Sequence, residues 1–336
     1  MKIYIATILF LLAFPKIILG QDIHFSNYYA SPLSLNPANT GNYSGNWRAM
    51  SNYRQQGDNI VNSYTTASLA YDRPVYVFSE KASVGLIYIY DNSADNTLLV
   101  NKMYLSAGYF QRISQKSYLH IGLQAGFVHK YFSLNNLTLP DQFDMTIGHF
   151  SPQVQTQEYF EKQSLYYIDL NWGLIWSRKT QNLSTEIGIA MFHYNQPEEV
   201  FFKNKSRLAP RYQVHGLAKK RFLENFYLKP QALFTINSKA NEFLIGSDVG
   251  LTINEDNVFN DFHVGVHYRG GYSRNSDALI VKTGFNYSSF DFAIAYDLGI
   301  SDQKISNFTS NAFEISVIFT RPETKIRERT IPCDIF

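Results

Sequence analysis

The chain has 336 residues, a formal net charge of +2 and one cysteine, Cys333, so no internal disulfide can form and stability must come from packing or closure. Its basic residues are scattered, which speaks against nucleic acid as a partner. Aromatics reach 16% and charged residues fall to 17%, against about 25% charged in ordinary globular chains.

The first segment, MKIYIATILFLLAFPKIILG, sets Lys2 before an apolar run from Ile3 to Phe14 and ends on Gly20. That order is expected of a secretory signal peptide cleaved after Gly20, although Ile18 departs from the small-residue preference there. As a membrane anchor the run is too short, since a spanning helix needs about 20 apolar residues, and Pro15 and Lys16 interrupt it. No cysteine follows it to carry a lipid. Next comes QDIHFSNYYASPLSLNPANTG, residues 21–41, which fits neither helix nor strand. Pro32 and Pro37 remove backbone donors and disfavour helix at the residue before each. Asn36-Pro37 and Asn39-Thr40-Gly41 are turn formers, yet Phe25, Tyr28, Tyr29, Leu33 and Leu35 are too apolar for a free tail. Residues 21–45 are therefore expected to form a plug or cap, seated in the periplasmic mouth of a barrel built from residues 46–320.

From residue 46 onward the pattern has period two almost throughout. In HIGLQAGFVHKYF, Ile121, Leu123, Ala125 and Phe127 share one face, while His120, Gly122, Gln124 and Lys130 share the other. In DFHVGVHYRG, Phe262, Val264, Val266 and Tyr268 oppose His263, Gly265, His267 and Arg269. Strands are predicted at 46–56, 62–72, 82–91, 97–111, 117–132, 164–178, 182–194, 210–221, 225–237, 241–253, 261–270, 276–288, 289–298 and 311–320. That makes fourteen, with twelve and sixteen left as alternatives. Many of them exceed the usual length of about five or six residues. Aromatics gather at strand ends (Tyr88, Tyr90, Trp176, Tyr194, Tyr268, Phe319), and the polar face is small and wet. The reading is all-β: a transmembrane outer-membrane β-barrel over 46–320, with a periplasmic tail at 321–336 and the lipid bilayer as its surroundings. With both termini periplasmic, the long gap 133–164 is extracellular and is either functional or hides a missed element. Shorter surface excursions are expected at 92–96, 195–209 and 254–260.

The opening stretch resembles the mature N-terminus of the PorP/SprF family of type IX secretion system membrane proteins. The resemblance rests on Gln21, Asp22, Phe25, Ser26, Tyr28 and Tyr29, then Leu35, Asn36, Pro37, Ala38 and Gly41, and on Asn52, Tyr53, Arg54 and Gln56 in RAMSNYRQQ. Phe192, His193 and Pro197, the closing strands, and the tail RTIPCDIF are similar too, although Asp334 stands where the family tail usually has Pro. The resemblance implies an outer-membrane component that supports secretion and surface attachment of adhesin-type cargo through the cargo's C-terminal domain. Cargo would then dock on loops 133–164 and 195–209, with Asp141, Phe143, Asp144, Phe150, Glu198 and Phe201 as contact candidates. Other secretion components in the outer membrane and periplasm would be further partners.

Chemistry is not written into the sequence. No G-x-S-x-G elbow, phosphate-binding loop, H-E-x-x-H or paired-cysteine motif occurs, so neither an enzyme nor a cofactor is expected. Asp141, Asp144, Glu198 and Glu199 read as a solvated loop, with calcium binding as the sharper alternative. Nothing in sequence pairs a serine with His129 or His193. A second function class stays open: a plugged channel for small apolar solutes, since fatty-acid-type channels share the strand number, an N-terminal hatch and an Asn-Pro-Ala element. The expected lumen weighs against it. His120, Gln124, Asp169, Asn171, Asp248, Asp297 and Glu314 would line a polar interior.

Overall fold

The computed structural model describes residues 24–57, 64–78, 80–93, 97–133, 142–144, 147–151, 163–199, 206–222, 225–237, 240–253, 259–271, 278–300 and 311–323. The proposed signal peptide and most of the C-terminal tail lie outside them. The strands are β1 Trp47–Gln56, β2 Tyr64–Val77, β3 Glu80–Ser93, β4 Leu98–Ser114, β5 Ser117–Phe132, β6 Phe143–Asp144, β7 His149–Phe150, β8 Ser164–Lys179, β9 Leu183–Phe192, β10 Arg211–Arg221, β11 Phe226–Asn237, β12 Ala240–Thr252, β13 Phe259–Gly271, β14 Ala278–Tyr287, β15 Phe290–Gly299 and β16 Ala312–Arg321. All but β6 and β7 join one closed antiparallel barrel of fourteen strands. Closure runs through β1, where Tyr53 lies opposite Ile315 of β16 and Ala67 of β2. β2 and β4 extend past their predicted ends, and the small β6–β7 pair is an element the sequence pattern missed.

The period-two code explains the wall. Leu123 is 63% exposed while its neighbour Gln124 is 4% exposed, and Ile168 at 63% precedes fully buried Asp169. Successive side chains on a strand point to opposite faces, so the apolar set meets lipid and the polar set fills the lumen. A closed barrel leaves no unpaired edge for the hydrocarbon to face.

The connections sort onto two rims. One rim holds the start of β1, the end of β16, and the returns β2–β3, β4–β5, β8–β9, β10–β11, β12–β13 and β14–β15, which are short. The opposite rim carries the longer connections, including 133–163 and 193–210. The topology corrects the expected surface excursion at 254–260. β12 runs toward the short-turn rim, so its link from Thr252 to Phe259 belongs to that rim, opposite to 92–96 and 195–209.

Candidate functional site

Residues 24–46 occupy the inside of the barrel. Their path is a helical turn, Pro32–Leu35, between two 3-10 turns, Tyr28–Ala30 and Pro37–Asn39. Each proline opens a turn, where its missing N–H is no loss. Asn36 caps the second 3-10 turn, its Oδ1 accepting from the Ala38 N–H at 2.9 Å. Its Nδ2 donates to the Ile189 carbonyl at 3.0 Å and meets His215 Nε2 at 3.1 Å. Gly41 takes φ +72°, and its N–H donates to Asp72 Oδ2 at 2.7 Å. Asp72 in turn holds Arg48 through both oxygens, at 3.0 and 2.8 Å.

The wall is cut to receive this segment. Gly108 of β4 faces Gly122 of β5, which faces Gly173 of β8, giving a row of three inward glycines in register. A Cβ at Gly122 would collide with the Ala38 nitrogen and the Pro37 carbonyl, and one at Gly173 with Asn36 Oδ1. At Gly108 it would meet Ser83 Oγ first and then the Thr40 carbonyl at 2.7 Å. The Asn36-Pro37-Ala38 turn thus lies on bare backbone, a close approach that only glycine permits. Above this floor, Leu33 packs with Met50, Ile87, Val128 and Tyr167, while Tyr28 and Leu35 pack with Leu233, Leu244 and Ile280.

The far end of the segment is held by charge. The Ser26 and Asn27 N–H groups donate to Glu314 at 2.8 and 3.0 Å. Ser26 Oγ donates to Asp297 at 2.7 Å and accepts from Arg54 at 2.6 Å and Arg269 at 2.9 Å. Arg54 and Arg269 each also reach Asp297 at 2.9 Å. Two cations and two carboxylates are thereby buried together and hydrogen-bonded by the plug backbone, the arrangement that makes burial of charge tolerable. These groups sit at the long-loop ends of β1, β13, β15 and β16, whereas Asn46 pairs with Arg321 at the short-turn rim. The expectation of a plug seated in one mouth is therefore corrected: the segment crosses the lumen from one rim to the other half.

The long-loop rim is folded inward beside it. Glu198 and Arg207 form an isolated antiparallel bridge, and Leu208 packs on the Leu33 cluster. Lys130 pairs with Glu199, tying this excursion to β5. His193, at φ +58°, starts it, and its Nδ1 meets Asp169 Oδ2 at 2.9 Å. Tyr104 donates to the same oxygen at 2.8 Å.

Residues 18–319 match the family described as Type IX secretion system membrane protein PorP/SprF. The chain belongs to the PorP/SprF family. No curated protein matches it. Among solved structures the CymD monoaromatic hydrocarbon channel is similar in fold, with TM-score 0.53 and 14% identity over 90% of this chain and 96% of that one. The TodX deltaS2 mutant of a monoaromatic hydrocarbon channel matches with TM-score 0.53 and 9% identity, covering 88% and 95%. The TodX deltaS2S3 mutant gives 0.51 and 10%, covering 88% and 94%. At such identities the likeness concerns the barrel fold alone. This PorP/SprF chain is accordingly an outer-membrane-type barrel and a component of type IX secretion.

The family-signature residues separate by strand parity. Phe25, Tyr28, Asn36, Pro37 and Gly41 are buried in the plug and Tyr29 is half-buried there; Asn52 and Arg54 point inward from β1 to meet it. Tyr53 does not join them. It lies between two inward residues, so alternation turns it to the lipid side, where it is 40% exposed. Gln21 and Asp22 lie outside the described residues, as do Asp141 and Phe201. Phe143 is exposed and pairs with Phe150 across β6–β7, and Asp144 pairs with His149. Glu198 is exposed beside Arg207 at 3.6 Å. Two serine–histidine contacts form: His129 with Ser164 at 2.9 Å, which the sequence reading missed, and His120 with Ser177 at 2.7 Å, on which it made no statement. They join neighbouring strands whose sequence separation hid them. Among the described residues no carboxylate is hydrogen-bonded to either ring. The glycine row and the partners Asp72 and His215 were not singled out from sequence; three glycines at matched strand depth were the available signal.

Proposed function

We propose that this PorP/SprF barrel supports secretion and cell-surface attachment of adhesin-type cargo, which docks through its C-terminal domain on the long-loop rim, and that it does so without catalysis. The observation that carries this reading is a lumen occupied from the short-turn rim into the long-loop half by the chain's own residues 24–46 and locked by the Arg54–Asp297–Glu314–Arg269 network. A barrel so filled offers its rims, not its bore, for work. The connections 133–163 and 193–210 are the longest in sequence on the long-loop rim, with Phe143 and Glu198 exposed there. In this arrangement the short-turn rim faces the periplasm, following the short-turn, long-loop asymmetry of outer-membrane barrels. The signal peptide over residues 1–20 delivers the chain, and the tail 321–336 starts on the periplasmic side.

The channel alternative for small apolar solutes would need a continuous apolar passage. The fully buried Asp169, Asp297 and Asp72 and the nearly buried Asp248 and Glu314 interrupt any such path. The test is a pull-down of the tagged barrel from detergent-solubilised outer membranes with mass spectrometry. Recovery of a large surface adhesin and type IX components, with the adhesin lost when 133–163 is shortened, supports docking. Recovery of the barrel alone with a small apolar molecule sinks it.

A further inference from the structure

Four consecutive hairpins on the short-turn rim each present a pair of basic residues. They are Arg73 and Lys81 on β2–β3, Arg112 and Lys116 on β4–β5, Arg178 and Lys179 on β8–β9, and Lys220 and Arg221 on β10–β11. All are exposed except half-buried Lys81. None of them pairs with a carboxylate among the described residues. The nearby basic groups that do so lie deeper: Lys219 meets Asp261 at 3.7 Å, Lys229 meets Asp248 at 4.0 Å and Arg48 meets Asp72 at 2.8 Å. On the crescent itself the described acidic residues are exposed Glu80, half-buried Glu186 and buried Asp72, the last paired with Arg48, and the sequence adds Glu224 between β10 and β11; against them stand eight basic residues, while Asp261 and Asp291 belong to the other arc, on β13 and β15. The rim is therefore a one-sided basic crescent on a chain whose overall charge is only +2.

Strand parity divides these cations. Arg73, Arg178 and Lys220 share the outward face with lipid-facing neighbours, and phosphate headgroups account for them by snorkelling. Lys81, Arg112, Lys179 and Arg221 share the lumen-side face of their strands. They overhang the aqueous mouth, where no headgroup reaches. The hairpin tips add apolar anchors: Phe78 is 97% exposed, Tyr76 74% and Phe222 54%. Tyr76 also lies on the lumen-side face of β2, away from the bilayer. Exposed aromatics among cations that meet no described carboxylate, with Lys220 lying over the Phe222 ring at 5.0 Å, are the make-up of a protein-binding surface.

We propose that this crescent docks an acidic face of a periplasmic protein, with the mouth-facing cations steering it and the tip aromatics seating it. The idea rests on the orientation given under the proposed function. The probe is a fluorescent poly-L-glutamate peptide, titrated against the full barrel in phosphatidylcholine nanodiscs. Wild type should bind at low salt and lose binding at about 0.5 M salt, where the Debye length falls to a few ångströms. Reversing Lys81→Glu, Arg112→Glu, Lys179→Glu and Arg221→Glu together should weaken binding at least about tenfold. Reversing the outward set, Arg73→Glu, Arg178→Glu and Lys220→Glu, should change it by less than about threefold. An unchanged heat-modifiable gel mobility certifies that each variant is folded. Equal loss in both sets, or no wild-type binding, overturns the proposal in favour of a headgroup ring. In cells, a photo-reactive residue at Phe78 should capture a periplasmic protein in wild type and lose it in the mouth-facing variant; capture of lipid alone overturns it. Orientation is read separately, by an impermeant maleimide on Arg112→Cys in a Cys333→Ser background. Labelling of intact cells would refute the periplasmic placement while leaving the peptide titration as it stood.

Discussion

Replacing Gly122 by alanine adds one methyl group where the plug lies on the wall. The atoms it would strike are the Ala38 nitrogen and the Pro37 carbonyl, which are backbone and cannot swing aside as the end of a flexible side chain can. The plug must lift or the strand must bend, and overpacking of this kind costs about 1–3 kcal/mol. Gly216 of β10 supplies the control. A Cβ there finds its nearest neighbour, the Glu186 carbonyl, at 3.8 Å, so the same change should gain roughly 0.5–1 kcal/mol from reduced chain entropy. The two glycine-to-alanine changes are thus expected to differ in sign. If docking of the segment weakens by about 2 kcal/mol, its undocked fraction rises about thirtyfold. The assay is protease cleavage of residues 24–46 in proteoliposomes, alongside ion current across planar bilayers. Gly122→Ala should expose the segment and admit brief openings, while Gly216→Ala should match wild type. Equal protection in the two variants would refute the idea that the glycine row is what seats the plug.

Other substitutions probe neighbouring parts of the same plug and wall. Asn36→Ala removes a cap and the bonds to Ile189 and His215, and should lower barrel stability by about 2–4 kcal/mol, read from heat-modifiable gel mobility. Asn36→Asp should be worse than alanine, because it sets a buried carboxylate oxygen against the Ile189 carbonyl oxygen where an N–H donated; a milder effect than alanine would count against that account. Arg54→Leu strips Glu314 of its cation and should cost about 3–5 kcal/mol in denaturant unfolding from lipid vesicles, and a loss under about 1 kcal/mol would contradict the node. Tyr53→Leu, one residue away but facing lipid, should stay within about 0.5 kcal/mol of wild type in the same measurement. Tyr104→Phe removes a donor from buried Asp169 and should cost about 1–3 kcal/mol, and no change would mean that His193 alone satisfies that carboxylate.

The barrel was legible because its rule is local. A strand in a bilayer must alternate, so Ile121, Leu123 and Phe127 could be assigned to lipid, and Gln124 to the lumen, from spacing alone. The same rule placed Asp297 and Glu314 inside the barrel before any contact was known. It also gave Tyr53 its lipid-facing side, which grouping it by motif with Asn52 and Arg54 concealed. Connections were harder to place. The side of the membrane for 254–260 depends on counting strands correctly from the first, so one slip in parity moves it to the wrong rim.

What the sequence determined by itself was the alternation, an even strand count near fourteen and the aromatic, proline-broken segment that had to be buried somewhere. Where that segment goes was decided by tertiary structure. Ser26 meets Glu314 across 288 residues and Asn36 meets Ile189 across 153, separations that no local pattern encodes. Gly108, Gly122 and Gly173 become one floor only when β4, β5 and β8 are set in register, because register brings residues far apart in the chain to the same height in the wall. The basic crescent arises in the same way. Its cations are dispersed along the sequence, and gather only because every second connection of a closed barrel returns to the same rim.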